Sequence, residues 1–253
     1  MTLSPASPSE AECVAAIKSL HWALQQELDA DDTAFLNDAT YLRFARARNG
    51  NYHDALLMLS ECLRWRKARK PHAIQLRDVE DILGLGTCYC CGTCLNDRPV
   101  LVITPGPVNP YPSAMRVQLM LFILEETYRL GYEQLTWIFD FSRMGERVKD
   151  SESELTRKEL VTVLQLYYPE RLGNLLMVHT PWYMRVVATL VWPFLEKRTK
   201  DKIQTSVAVP DLQKYVHASQ LIAAFGGSNT RSGPPFPPPK ESSTAVLVDH
   251  RPF

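Results

Sequence analysis

The sequence predicts an α/β chain in which a helical front third precedes a largely parallel sheet covered by helices. Three observations predict it. As far as Pro71 the apolar residues recur only at helical intervals. From Arg98 onward short apolar runs alternate with helical periods, the order that gives parallel strands with crossover helices. From Gly226 the composition turns to Gly, Ser and Pro, and Gly233 to Lys240 is too rich in proline to continue a helix or a sheet.

Ser9 and Glu12 have capping-box spacing, followed by Ile17, Leu20, Leu24 and Leu28. Asn37 or Asp38 caps a short helix through Ala47. Asn51 starts another, with Ala55, Leu59, Cys62 and Leu63 on one face and Arg64, Lys67 and Arg69 turned away, until Pro71 stops it. Arg98 to Thr104 reads as a buried strand. Ser113 to Leu130 reads as a helix with Val117, Met120, Leu121, Leu124 and Tyr128 on one face, closed by Gly131. Leu135 to Phe141 is the second strand, Ser151 to Tyr167 a helix and Asn174 to His179 the third strand. Thr180 and Pro181 open a helix that ends or kinks near Pro193, and Ile203 to Val209 is the fourth strand. The organisation expected is a short N-terminal segment 1–8, a helical region 9–75, an α/β domain 76–228 and a Pro-rich tail 229–253.

The 253 residues are 45% hydrophobic and 22% charged with a net charge of zero, which gives no strongly basic face for nucleic acid. No secretory signal is visible at the start, and Trp182 to Leu195 is too short to span a bilayer. The expectation is a cytoplasmic protein, monomeric, that touches membranes transiently. No nucleophile elbow, P-loop or dinucleotide fingerprint occurs, and no two of the six histidines have a metal-ligand spacing. An enzyme is not expected.

Cys88, Cys90, Cys91 and Cys94 crowd just before a strand, where alternation would turn Cys88 and Cys90 to one face. Four thiolates within seven residues strain to surround one ion, so packed thiols are expected and no metal. The segment from Pro181 to Leu195 is apolar nearly all round, through Trp182, Val186, Val187, Leu190, Val191, Trp192, Phe194 and Leu195. Periodicity alone leaves two readings open: a buried helix, or a lid that covers an apolar cavity and lies on a bilayer.

Tyr168-Pro-Glu-Arg-Leu-Gly173, Leu175 to Trp182, Trp192-Pro-Phe-Leu195 and Thr199 to Ile203 closely resemble the CRAL-TRIO lipid-binding family, in its phosphatidylinositol-transfer branch. Tyr41 to Arg48, Cys62 to Arg66, Asp97 to Val102, Ile138 to Phe141 and Leu221 to Gly227 resemble its other landmarks in the same order. The resemblance implies a sheet that floors an apolar pocket for acyl chains, gated by a helix. It turns the reading of Trp182, Val186, Val187, Leu190, Val191, Phe194 and Leu195 from core to gate. It implies a bound phospholipid, phosphatidylinositol, exchanged between membranes, and no cofactor beyond it. Headgroup contacts carry over to Arg48, Glu170, Thr199 and Lys202: cations and a hydroxyl for the phosphodiester, a carboxylate for inositol hydroxyls.

One departure bears on the ligand. Where relatives that hold phosphatidylcholine place tyrosines and hydroxyls, this chain has Cys90, Leu101, Glu126, Leu135 and Trp137, so Leu101, Leu135 and Trp137 are expected to line the strands of the pocket. A sterol or another apolar molecule is the alternative second ligand. Two other readings remain: a lipid sensor whose Pro-rich tail recruits an SH3- or WW-type partner, and a haem carrier with His179 or His217 as ligand.

Overall fold

A computed structural model describes residues 9–23, 28–105, 109–144, 151–182 and 197–230, with no side chains described at 20–23, 197 and 198. The chain divides into two compact units, Met1–Lys70 with Arg157–Arg171, and Pro71–Thr156 with Leu172–Phe253.

The first unit is helical, and its helices start where short polar side chains can cap them. α1 (Glu10–Ala23) opens on the expected capping box: the Ser9 N–H donates to Glu12 at 2.8 Å and the Glu12 N–H to Ser9 Oγ at 3.3 Å. α2 (Ala30–Phe35) has the same device built from Asp29 and Asp32, which a search for Ser/Thr-x-x-Glu passes over. Asn37 caps α3 (Asp38–Ala47) and Asn51 caps α4 (Tyr52–Arg69), which ends with Lys70 in the left-handed region before Pro71. Ile17, Phe44, Leu59 and Cys62 have no exposed surface and form the core. Within this unit Tyr167 stacks on Trp65 with centroids 4.4 Å apart, and Tyr168 meets the same ring edge-on.

The second unit holds a five-stranded sheet in chain order: β1 (Cys88–Thr93), β2 (Pro99–Ile103), β3 (Leu135–Asp140), β4 (Leu172–Val178) and β5 (Ile203–Val207). β2 to β5 are parallel and β1 pairs antiparallel with β2. The Cys88 to Cys94 segment is therefore largely a strand of its own rather than the approach to one. α5 (Glu80–Leu83) precedes the sheet, α6 (Ser113–Arg129) connects β2 to β3, and α7 (Ser151–Leu166) follows β3. α8 (Lys197–Lys200) leads to β5. α6 is buried on more than the expected face, with Leu119, Phe122 and Ile123 also covered, because α5 and the turn at Pro71–Ala73 pack against it.

One sheet face is sealed. Val100, Val102, Ile138, Leu176 and Val178 have no exposed surface and lie against Leu212, Val216, Leu221 and Phe225 of the C-terminal turns. These turns are stitched to β1 and the residues after it: the Thr93 N–H donates to Gln220 Oε1 at 3.2 Å and the Leu95 N–H to the Tyr215 carbonyl at 2.8 Å. Gly227 is required by close approach, since a Cβ there would stand 2.0 Å from the Leu221 carbonyl oxygen.

Candidate functional site: the second face of the sheet

Successive strand residues point to opposite faces, so the other face carries the alternate positions. Register brings Cys90, Leu101, Trp137, Leu175 and Ile203 into one row across all five strands. Cys88, Ile103, Phe139 and Met177 make the next row. Every one of these side chains is apolar or a thiol.

This face is not packed like its opposite. Leu101, Leu135 and Trp137 are buried, but Cys90, Ile103, Phe139, Leu175, Met177 and Ile203 all keep part of their surface accessible. Cys90 combines that accessibility with crowding: burial, with smaller contributions from Cys88 and Cys91, pushes its thiol well above the usual range. Trp137 and Phe139 stack at 6.2 Å, and Phe139 and Phe141 at the same distance, a ladder of three rings along the central strand and its end. The Trp137 Nε1–H is buried and has no hydrogen-bond partner among the described residues.

The four clustered cysteines divide between the faces. Cys88 and Cys90 lie on the second face, as alternation predicted, while Cys91 and Cys94 belong to the sealed core. Burial pushes the thiols of Cys88 and Cys91 up to about 12, and all four are free. Thiols on opposite sides of a strand do not converge on an ion.

The C-terminal ends of β3 and β4 carry a polar cluster that the sequence reading overlooked. Asp140 accepts from the Ser142 N–H at 2.9 Å and the Ser142 hydroxyl at 2.9 Å, and lies 2.8 Å from His179 Nδ1. Desolvation pushes the Asp140 carboxyl up, but the Ser142 N–H, His179 and the Ser142 hydroxyl outweigh it and hold the carboxyl below the usual range. His179 sits at φ 51°. His217, the other candidate haem ligand, pairs its Nδ1 with Ser219 Oγ at 2.9 Å.

The residues expected to contact a headgroup fall in both units. Arg48 and Glu170 belong to the first, Thr199 and Lys202 to the second. Arg48 ends α3 and lines an open cleft with Asp54, Leu57, Met58, Glu61 and Leu166. Glu170 sits at φ 58°, and its charge acts on Arg46, which Glu10 holds by two hydrogen bonds. The Lys202 N–H donates to the Thr199 carbonyl at 3.1 Å, and its own carbonyl accepts from Leu175, which fixes both residues against β4. Trp182, the first gate residue, is 77% exposed and so does not wall the pocket in this structure. Val186, Val187, Leu190, Val191, Phe194 and Leu195 lie outside the described residues. Glu126, at one of the positions expected to differ from choline-binding relatives, is tied to Arg129 at 2.6 Å.

Leu175, Met177, Ile203, Ile103 and Phe139 were missed as site residues. Part of the signal was present: Ile103 and Phe139 stand two residues from Leu101 and Trp137, whereas Leu175, Met177 and Ile203 join them only through the register of β4 and β5.

No helix among the described residues is long and apolar enough to cross a membrane. The solved structure of Sfh5 superposes with a TM-score of 0.70 over 93% of this chain and 91% of that one, at 15% identity, a likeness of fold. A CRAL-TRIO domain-containing protein of Schizosaccharomyces pombe is 27% identical over 190 residues, 74% of this chain and 18% of the relative. Patellin-6 of Arabidopsis thaliana is 25% identical over 237 residues, 83% of this chain and 56% of the relative. The chain thus spans at most little more than half the length of these two relatives. The SEC14 cytosolic factor of Eremothecium gossypii is 26% identical over 251 residues, 85% of this chain and 76% of the relative. The CRAL/TRIO domain model matches residues 83–227, the stretch that contains the whole sheet and the turns that seal it, and the chain belongs to that family.

Proposed function

We propose that the chain binds one phospholipid, phosphatidylinositol, with its acyl chains against the second face of the sheet, and exchanges it between membranes. The observation that carries the reading is the half-open apolar face itself. A sheet face of Leu, Ile, Met, Phe and Trp left partly accessible beside a fully sealed one is surface kept for an apolar ligand. Each acyl CH₂ buried there recovers ~0.8 kcal/mol. An emptied pocket returns that surface to water, so trading one lipid for another is favoured over release. A relative in Eremothecium gossypii, 26% identical over 236 residues, is named as the phosphatidylinositol transfer protein CSR1 and supports the choice of lipid.

In this reading Arg48 and Lys202 neutralise the phosphodiester, Thr199 donates to its oxygens and Glu170 accepts from inositol hydroxyls. Trp182 to Leu195 is the gate, and an exposed tryptophan at its start suits the headgroup level of a bilayer. The proposed role is binding and exchange, without a chemical step or a cofactor.

A vesicle assay with labelled lipids tests it. The wild type should move phosphatidylinositol much faster than phosphatidylcholine, because burying a phosphocholine beside Leu101, Leu135 and Trp137 leaves its phosphate short of donors. Glu170→Ala with Lys202→Ala should lower phosphatidylinositol transfer at least about tenfold, the worth of one charged hydrogen bond. Unchanged transfer in the folded double variant would reject the headgroup assignment.

A further inference from the structure

We infer that Trp137 selects the lipid seated on the sheet for a neutral acceptor oxygen on an otherwise apolar molecule, which its indole N–H binds. The inference rests on the reading that this face takes a lipid. It starts from an imbalance. Trp137 is 7% exposed, its ring is stacked on Phe139, and its Nε1–H meets no acceptor among the described residues. Two threonine hydroxyls share that condition, and one of them, Thr136, is on the sealed face.

An indole nitrogen only donates, and leaving it unpaired in a dry place is unfavourable. Solvent does not reach this N–H, so an acceptor that relieves it has to arrive inside the site. Its neighbours in the row narrow the chemistry. Leu101 lies beside it on β2 and Leu175 on β4, with Cys90 one strand further. Leucines offer nothing polar, and a thiol is a weak donor that burial keeps protonated. One N–H among apolar side chains satisfies one oxygen without charge, and leaves an anion or a zwitterion unpaired. Two sources supply such an oxygen: the ester carbonyl of an acyl chain, and the hydroxyl of a sterol.

Matched lipid pairs test the assignment on the full chain and on Trp137→Phe, which keeps a ring and removes the donor. The pairs are diacyl against dialkyl-ether phosphatidylinositol, diacylglycerol against dialkylglycerol, and a sterol against the same ring system without its hydroxyl. Uptake from vesicles is measured for each. The wild type should favour the stronger acceptor of at least one pair about fivefold, the worth of one neutral hydrogen bond. In Trp137→Phe that preference should fall to about one, whatever the change in absolute uptake; a purely structural role would weaken both members alike and keep the preference. Loss of the preference in an ester pair assigns the carbonyl, and loss in the sterol pair the hydroxyl. Equal preference in both proteins for every pair, no preference in the wild type, or no uptake of any lipid overturns the inference. A silent phosphatidylinositol pair beside a responsive one counts against the proposed function and leaves the role of Trp137 standing. Should the variant not fold, one indole N–H resonance of ¹⁵N-tryptophan-labelled wild type must move downfield with the stronger acceptor alone, and its failure to move overturns the inference equally.

Discussion

Asp140 shows how one side chain can hold a junction together. Its carboxylate collects the Ser142 N–H, the Ser142 hydroxyl and His179, so the ends of β3 and β4 are tied at one atom group, 13% exposed. Because its folded pKa is depressed, the contribution is complete above the ordinary aspartate value near ~3.9 and is lost as pH falls through the lower folded value. Asp140→Asn should therefore lower stability at neutral pH by about 1 kcal/mol, a figure held down by solvent screening at the His179 side. Denaturant unfolding at several pH values checks this, and the gap between wild type and variant should close below pH ~4. A gap that widens in acid would mean that the carboxylate is not the group responsible. Neither this cluster nor the accessibility around Trp137 was visible in the sequence. The run from Leu135 to Phe141 does alternate, with Leu135, Trp137, Phe139 and Phe141 against Thr136, Ile138 and Asp140, but a strand facing a ligand is written in the same apolar residues as one facing a core.

Helices were legible where a short polar side chain announced them, at Ser9, Asn37 and Asn51, and α2 escaped because aspartates do both halves of its cap. β1 escaped for a different reason. Its residues, Cys-Tyr-Cys-Cys-Gly-Thr, hold little of the usual aliphatic content of a strand, and its register slips between Cys90 and Thr93. The start of α6 was read at Ser113, but its capping partner is one that no local rule reveals. Pro112 supplies no side-chain cap, and the Ser113 N–H donates to Glu152 Oε2 at 2.6 Å, from a residue 39 positions away. Arg116 fastens the same corner, donating to Tyr111 O, Asn109 O and Ser153 Oγ. A carboxylate at a helix N-terminus stabilises both the unpaired N–H and the helix dipole. Glu152→Ala should cost about 1 kcal/mol in thermal unfolding, with the loss concentrated in faster hydrogen exchange at Ser113 to Arg116. Uniform exchange across α6 in the variant would show that the carboxylate is not a cap.

Among the described residues the C-terminal turns are fastened as far as Asn229. Its backbone N–H donates to Leu221 O at 2.8 Å, its side-chain amide donates to Gln220 O at 3.1 Å, and the Ser228 N–H donates to Ala218 O at 2.9 Å. A chain cut after Asn229 should keep the midpoint of the full chain to within about 2 °C. A chain cut after Val216 loses Leu221 and Phe225 from the sealed face and should lose several kcal/mol, about 3–5 for the phenylalanine alone. Equal midpoints for the two truncations would show that the turns do not seal the sheet. The chain order of the strands bears also on how the molecule is made. Strands laid down one beside the next let the sheet lengthen as synthesis proceeds, each new edge ready for its successor. The helical unit cannot finish early, since it waits for Arg157–Arg171, well after the first strands have appeared. The sealing turns arrive later still, yet they bond at Thr93 and Leu95, beside and just beyond the first strand to emerge. Until that return the face that Leu212, Val216, Leu221 and Phe225 seal stays open, and its apolar strand residues are exposed to wrong pairings while residues 209–227 are still being made.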